Sequence, residues 1–309
     1  MSALAAMLFI CTFHAPAAHA ATIACVDTWN DVEERFDDNT LKQSFPSGRK
    51  PTPTTCRTIF MYGHIVASDE AYFLKVLQTY HPFLTTVIIA SPGGDFNAAI
   101  VIGEMVRKYH LITVAPSLPQ HIAENFGRIE VFPGGFVSDG QNISIGLRSG
   151  SEKKMICQGF GCFCASSCTN IWAAGSLRFG NFLGVHEVYT KQVQSQQGSA
   201  PGVLLKPQAG AIAFNQQYLG DMEVPQELIQ KSASTSPYGI SWASSDDMRQ
   251  MIYPASTLKL LDTCSSDMNP IACYLVKLAN LRDAMDPPTN QDLYPSQLQQ
   301  LWKSEQSSQ

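Results

Sequence analysis

The chain reads as an α/β domain in which strands and helices alternate, and three observations predict this. Residues 85–90 (TTVIIA) form a β-branched, almost wholly apolar run, the composition of a strand buried on both faces of a parallel sheet. The segments on either side switch repeatedly between strand-like and helical spacing. With 309 residues, 45% hydrophobic and 15% charged, the chain has the material for a sizeable core.

The elements follow in order. Residues 59–65 are a strand candidate. Ser68 is placed to cap a helix that opens with Asp69 and Glu70, favourable charges for a helix N-terminus, and Ala71, Leu74 and Leu77 recur at helical spacing. After the 85–90 strand, Ser91-Pro92-Gly93-Gly94 breaks the run sharply. Asp95 can cap the next helix, where Ala98, Ile102, Met105, Val106 and Tyr109 line one face, and 111–115 supplies another strand. Residues 117–153 interrupt the rhythm with Pro, Gly, Asn and Ser, and read as an insertion forming a hairpin or flap. A helix from 166 to 174, ended by Gly175, precedes a strand at 183–189. Residues 190–206 read as a Gln/Ser/Gly/Pro loop, followed by helices near 208–221, 225–232, 245–252 and 269–285. The domain therefore spans 59–285, and the polar segment 286–309 reads as a flexible tail. No internal repeat is present.

The two ends of the charge and cysteine inventory place the protein. Residues 1–20 combine a short apolar core with Ala18-His19-Ala20, an A-x-A cleavage pattern, so they read as a secretory signal peptide, although no Lys or Arg precedes the core. Cleavage after Ala20 would make Ala21 the N-terminus. No later run is long enough for a membrane span, so none is expected in the mature form. Residues 21–58, polar and rich in Thr, Asp and Pro, read as an N-terminal extension. Of nine cysteines, Cys11 leaves with the leader. The even remainder favours disulfides in an exported, periplasmic or secreted, chain, with Cys25–Cys56 and Cys264–Cys273 as local pairs. The cluster Cys157, Cys162, Cys164 and Cys168 lacks the paired C-x-x-C knuckles of a structural zinc site, so no metal is expected. A formal net charge of −5 without a basic block argues against a nucleic-acid partner.

Three motifs could carry chemistry. The glycines of Ser91-Pro92-Gly93-Gly94, between a buried strand and a helix, let backbone N–H groups approach a developing negative charge; a tight turn explains them equally. In Cys164-Ala165-Ser166-Ser167-Cys168, Ser166 sits at a helix N-terminus, where its oxygen is near the positive end of the dipole; a plain N-cap explains it equally. His186, inside the expected 183–189 strand, could accept the Ser166 proton if both reach the same sheet end; a satisfied core histidine is the plain alternative.

The order of these pieces adds what each lacks alone. A Ser-Pro-Gly-Gly turn, a serine elbow, a helix ending Ala173-Ala174-Gly175, then Arg178-Phe179 and His186 resembles the proteolytic subunit of the Clp protease, and more closely exported bacterial Clp-like proteins whose serine sits between cysteines. The resemblance covers about residues 59–116 and 155–190. It implies the Clp-protease/crotonase fold of stacked ββα units and a cofactor-free serine peptidase acting on a peptide or protein. In that scheme Ser166 is the nucleophile, His186 the general base, and the N–H groups of Gly94 and Ser167 the oxyanion hole. Ser166 is preferred to Ser167 because it lies nine residues before Gly175. The family's orienting aspartate would fall near Lys231–Ser236, where no carboxylate stands; Asp221 and Asp246 flank it, leaving the third member unknown or supplied by a hydroxyl or carbonyl. Crotonase relatives hold acyl-coenzyme A enolates, a substrate not expected outside the cytoplasm, and Lys191 follows His186 too closely for a serine–lysine dyad. Such folds often form rings or stacked trimers, so a homo-oligomer is open. The competing expectation is a catalytically silent scaffold that binds a peptide or protein partner.

Overall fold

The computed structural model describes residues 20–28, 47–117, 136–138, 142–146, 152–156, 162–194, 202–244, 247, 251–264 and 270–295. Residues 1–19 of the proposed 1–20 leader, most of the insertion at 117–153, Cys157, Asp246, most of the 245–252 helix and residues 296–309 lie outside them.

The principal sheet has five strands in the order β1-β2-β3-β4-β9. β2 (Cys56–Tyr62), β3 (Thr86–Ala90), β4 (Ile112–Val114) and β9 (Leu177–Phe179) run parallel. β1 (Thr22–Thr28) adds antiparallel to β2, with register shifts between Cys25 and Thr28. Every residue of β3 is buried, as its continuous apolar run requires of a strand covered on both faces. α1 (Asp69–Tyr80) crosses from β2 to β3, and α2 (Phe96–Lys108) from β3 to β4. The side-chain period of two divides the core. Ile59, Met61, Val87 and Ile89 pack with α1, α2 and α3 (Ser167–Ala173), while Phe60, Ile88, Ile112 and Leu177 pack with Tyr274 and Leu278 of the last long helix.

A second sheet starts where the first releases the chain. Ser91, just past β3, bridges to Cys164 of β8 (Cys164–Ala165), with Ala165 N–H donating to Ser91 O at 2.9 Å. β8 pairs in parallel with β10 (Leu183–Val185), which pairs antiparallel with β13 (Ser241–Trp242). A further antiparallel group joins β5 (Phe136–Ser138), β6 (Asn142–Gly146) and β7 (Glu152–Ile156). The remaining helices are α4 (Ala209–Asp221), α5 (Gln226–Ser234), α6 (Ala255–Leu261) and α7 (Pro270–Ala284). The fold is thus mixed α/β, with parallel strands in two sheets.

Several sequence expectations are corrected. The strand expected at 59–65 begins at Cys56 and stops at Tyr62, because Gly63 turns the chain with φ +99°. Within the 21–58 extension, β1 pairs with β2 and forms an edge of the main sheet. Ser68 occupies the N-cap position of α1 without a side-chain cap bond, whereas Asp95 caps α2 by accepting Ala98 N–H at 2.9 Å. The 183–189 strand ends at Val185, so His186 lies just beyond β10 rather than within it. The 190–206 segment is not a plain loop: β11 (Tyr189–Gln194) and β12 (Gly202–Pro207) form an antiparallel hairpin. Both local disulfides, Cys25–Cys56 and Cys264–Cys273, are present, and a third joins Cys164 to Cys168. Three disulfides among the described residues are consistent with an oxidising compartment. No described helix is long and apolar enough to cross a membrane.

Candidate active site

β3, β8 and β10 end together and set the floor of a cleft of about 480 Å³. The turn after β3 is fixed by its neighbour: Ile65 N–H donates to Gly93 O at 3.0 Å, and Ile65 O accepts Asp95 N–H at 2.8 Å. Gly93 and Gly94 adopt φ +97° and +148°, which glycine enters freely. Both are also sterically required. A Cβ on Gly94 would stand 2.0 Å from Ile65 O, and one on Gly93 would stand 2.6 Å from Ser166 Cβ.

Ser166 links β8 to α3 at φ 57°, ψ −132°, a conformation non-glycine residues rarely adopt. Its N–H donates to Gly184 O of β10 at 2.8 Å and its carbonyl accepts Thr169 N–H of α3 at 2.9 Å, so β10 and α3 hold the strained residue. The Cys164–Cys168 disulfide, with Cα atoms 5.4 Å apart, brackets the same turn. The result is a strand–turn–helix elbow that presents a half-buried Ser166 to the cleft. Ser167 differs in exposure: the residue is buried, and its Oγ has no hydrogen-bond partner among the described residues. Gly94, Ser166, Ser167 and His186 all line the one cleft, so the structure brings the four sequence-proposed residues together. Neither Gly94 N–H nor Ser167 N–H has a hydrogen-bond partner among the described residues.

His186 Nδ1 lies 2.7 Å from Glu187 O. With Nδ1 protonated and donating there, Nε2 keeps its lone pair, the form a general base needs. No hydrogen bond joins Ser166 Oγ to His186 among the described residues. Of the carboxylates offered as a third member, Asp221 is exposed at the end of α4 and absent from the cleft lining, and Asp246 lies outside the described residues. The cleft carboxylates are instead Asp95, occupied as the α2 cap, and Glu187. Arg178 of the resembling Arg-Phe pair is a core residue. It is fully buried beside the Trp172 ring with its guanidinium donating to Met222 O, and burial lowers its pKa to about 9.

Sequence reasoning missed a polar chain behind the histidine. Asn170 Nδ2 donates to Asn215 Oδ1 at 2.8 Å, Asn215 Nδ2 to Ser232 Oγ at 3.5 Å, and Ser232 Oγ to His186 O at 3.4 Å. α3, α4 and α5 are thereby tied to the backbone of His186. One signal was available: Asn170 stands four residues after Ser166, the spacing that places it on the face of the elbow. Asn215 and Ser232 gave none, since only the tertiary fold brings them near. Comparison with protein-family models finds none that matches the chain, and searches of curated proteins and of solved structures find no match either.

Proposed function

We propose that this protein is an exported serine hydrolase of Clp-protease/crotonase-like fold, acting on a peptide or protein through an acyl-enzyme. The observation that carries the reading is the positive-φ elbow at Ser166, set in one cleft with His186 and two unpartnered N–H groups. In this scheme Ser166 Oγ attacks the scissile carbonyl carbon while His186 Nε2 takes its proton. Gly94 and Ser167 N–H groups hold the oxyanion, and His186 returns the proton to the departing amine or alcohol. Water, deprotonated by the same nitrogen, then releases the acyl group. The Glu187 carbonyl takes the place that an orienting aspartate holds in the resembling family, and a proton on Nδ1 donated there fixes the His186 tautomer. The three disulfides support placing the protein in the periplasm or outside the cell.

One observation favours a second reading, a silent scaffold that binds a peptide or protein partner: Ser166 and His186 share the cleft without a hydrogen bond. Fluorophosphonate labelling of the mature, oxidised protein separates the two. The hydrolase reading expects labelling that Ser166→Ala abolishes and Ser167→Ala retains. Absence of labelling in the folded wild type establishes the scaffold.

A further inference from the structure

Asp69 opens α1 with its side chain buried, the residue being only 2% exposed. Its Oδ2 accepts Val66 N–H at 2.9 Å and Ala21 N–H at 3.2 Å. No Lys, Arg or His pairs with it among the described residues, and burial pushes its carboxyl up. A buried carboxylate held by two neutral N–H groups lacks a counter-charge. Ala21 is itself buried, at 6% exposed, and the sequence places an A-x-A cleavage pattern immediately before it. Hydrolysis of the Ala20–Ala21 bond by a leader peptidase would end Ala20 as a carboxylate and leave Ala21 with an α-ammonium. The donor already aimed at Asp69 would then carry the missing positive charge.

We propose that leader removal after Ala20 completes this site: the new α-ammonium of Ala21 docks on Asp69 as a buried ion pair and braces the segment that carries the Gly93-Gly94 turn. The mechanical link is short. Val66 N–H shares Oδ2 with Ala21, and the adjoining Ile65 holds Gly93 O and Asp95 N–H through its own N–H and carbonyl. Ala20 bridges to His64, a residue of the cleft lining, so the Ala20–Ala21 bond lies near the site. The bracing rests on the hydrolase reading; the ion pair does not.

The test compares full-length mature protein beginning at Ala21 with a form retaining one extra Gly before Ala21, each with Asp69 or Asp69→Asn. The extra Gly displaces the ammonium, so it is expected to lower Tm by about 5 °C or more with Asp69 and by less than about 1 °C with Asp69→Asn. Equal shifts in both backgrounds would overturn the ion pair. Should Asp69→Asn fail to fold, amine acylation of the wild type at neutral pH decides the question. Because only the neutral amine reacts, the Ala21 α-amine of the folded protein should react at least about tenfold more slowly than in the urea-unfolded chain. Equal rates would overturn the proposal. These two readouts need no activity, so they stand whatever happens to Ser166. Slower fluorophosphonate labelling of the Gly-extended form supports the bracing, and an unchanged rate refutes it.

Discussion

Replacing Ser166 by Gly is expected to make the protein more stable while abolishing its chemistry. The backbone of Ser166 at φ 57°, ψ −132° costs a residue with a Cβ about 1–3 kcal/mol. Glycine removes that cost but adds about 0.5–1 kcal/mol of unfolded-chain freedom. Ser166→Ala is the correct reference, since it keeps the Cβ and deletes only an Oγ that makes no hydrogen bond among the described residues. The difference, Gly over Ala, is then a gain of about 0–2.5 kcal/mol centred near 1 kcal/mol, which at the centre raises Tm by about 2–4 °C. Scanning calorimetry of the two variants under oxidising conditions measures it, with fluorophosphonate labelling lost in both. A glycine variant that melts at or below the alanine variant would refute the claim that the elbow stores backbone strain.

Three further outcomes follow from other contacts. Gly93→Ala would push its Cβ to 2.6 Å from Ser166 Cβ and 2.9 Å from Ala165 O at an already positive φ, so urea unfolding should show a loss of about 2–4 kcal/mol and the fluorophosphonate rate should fall at least tenfold. Asn215→Ala strands the buried Asn170 amide and cuts the chain to His186 O; a loss of about 1–3 kcal/mol is expected, with a labelling rate reduced more than that of Ser232→Ala, whose bonds are longer. Burial raises the Asp292 carboxyl, but hydrogen bonds from Lys108, Thr289 N–H and Tyr109 outweigh it and hold the group below its ordinary value. Its stabilisation is therefore present above the unfolded value of about 3.9 and lost as pH falls through the lower folded value; Asp292→Asn should flatten the stability profile in that window, read by chemical unfolding at stepped pH.

The parallel sheet was legible because burial on both faces leaves an unambiguous mark: residues 85–90 carry no polar alternation, and β3 is buried throughout. The elbow was half legible. Serine at a helix start is common, and nothing in the letters distinguishes an N-cap from a positive-φ residue pinned between Gly184 O and Thr169 N–H. The apolar run 183–189 misled for a related reason. Val188 and Tyr189 resume the apolar character after His186 and Glu187, but the β10 pairing stops at Val185, because the chain leaves β10 to enter the β11–β12 hairpin. That hairpin was unreadable in a Gln/Ser/Gly/Pro composition, which local propensity assigns to a loop. Asn215 and Ser232 are 45 and 62 residues from Asn170 in the chain, so no local pattern could join them.

The hairpin has an evolutionary consequence. The elbow and the glycine turn are interlocked at contact distances that tolerate no added carbon, so selection can hardly alter them. The cleft lining, by contrast, draws Tyr189 and Thr190 from the base of a two-stranded arm that joins no other strand among the described residues. Lineages could lengthen, shorten or rewrite that arm and so change what enters the cleft, while inheriting the reactive geometry unchanged. Diversification would then be concentrated in one replaceable part, and related chains would be expected to agree around Ser166 and to diverge between Tyr189 and Pro207.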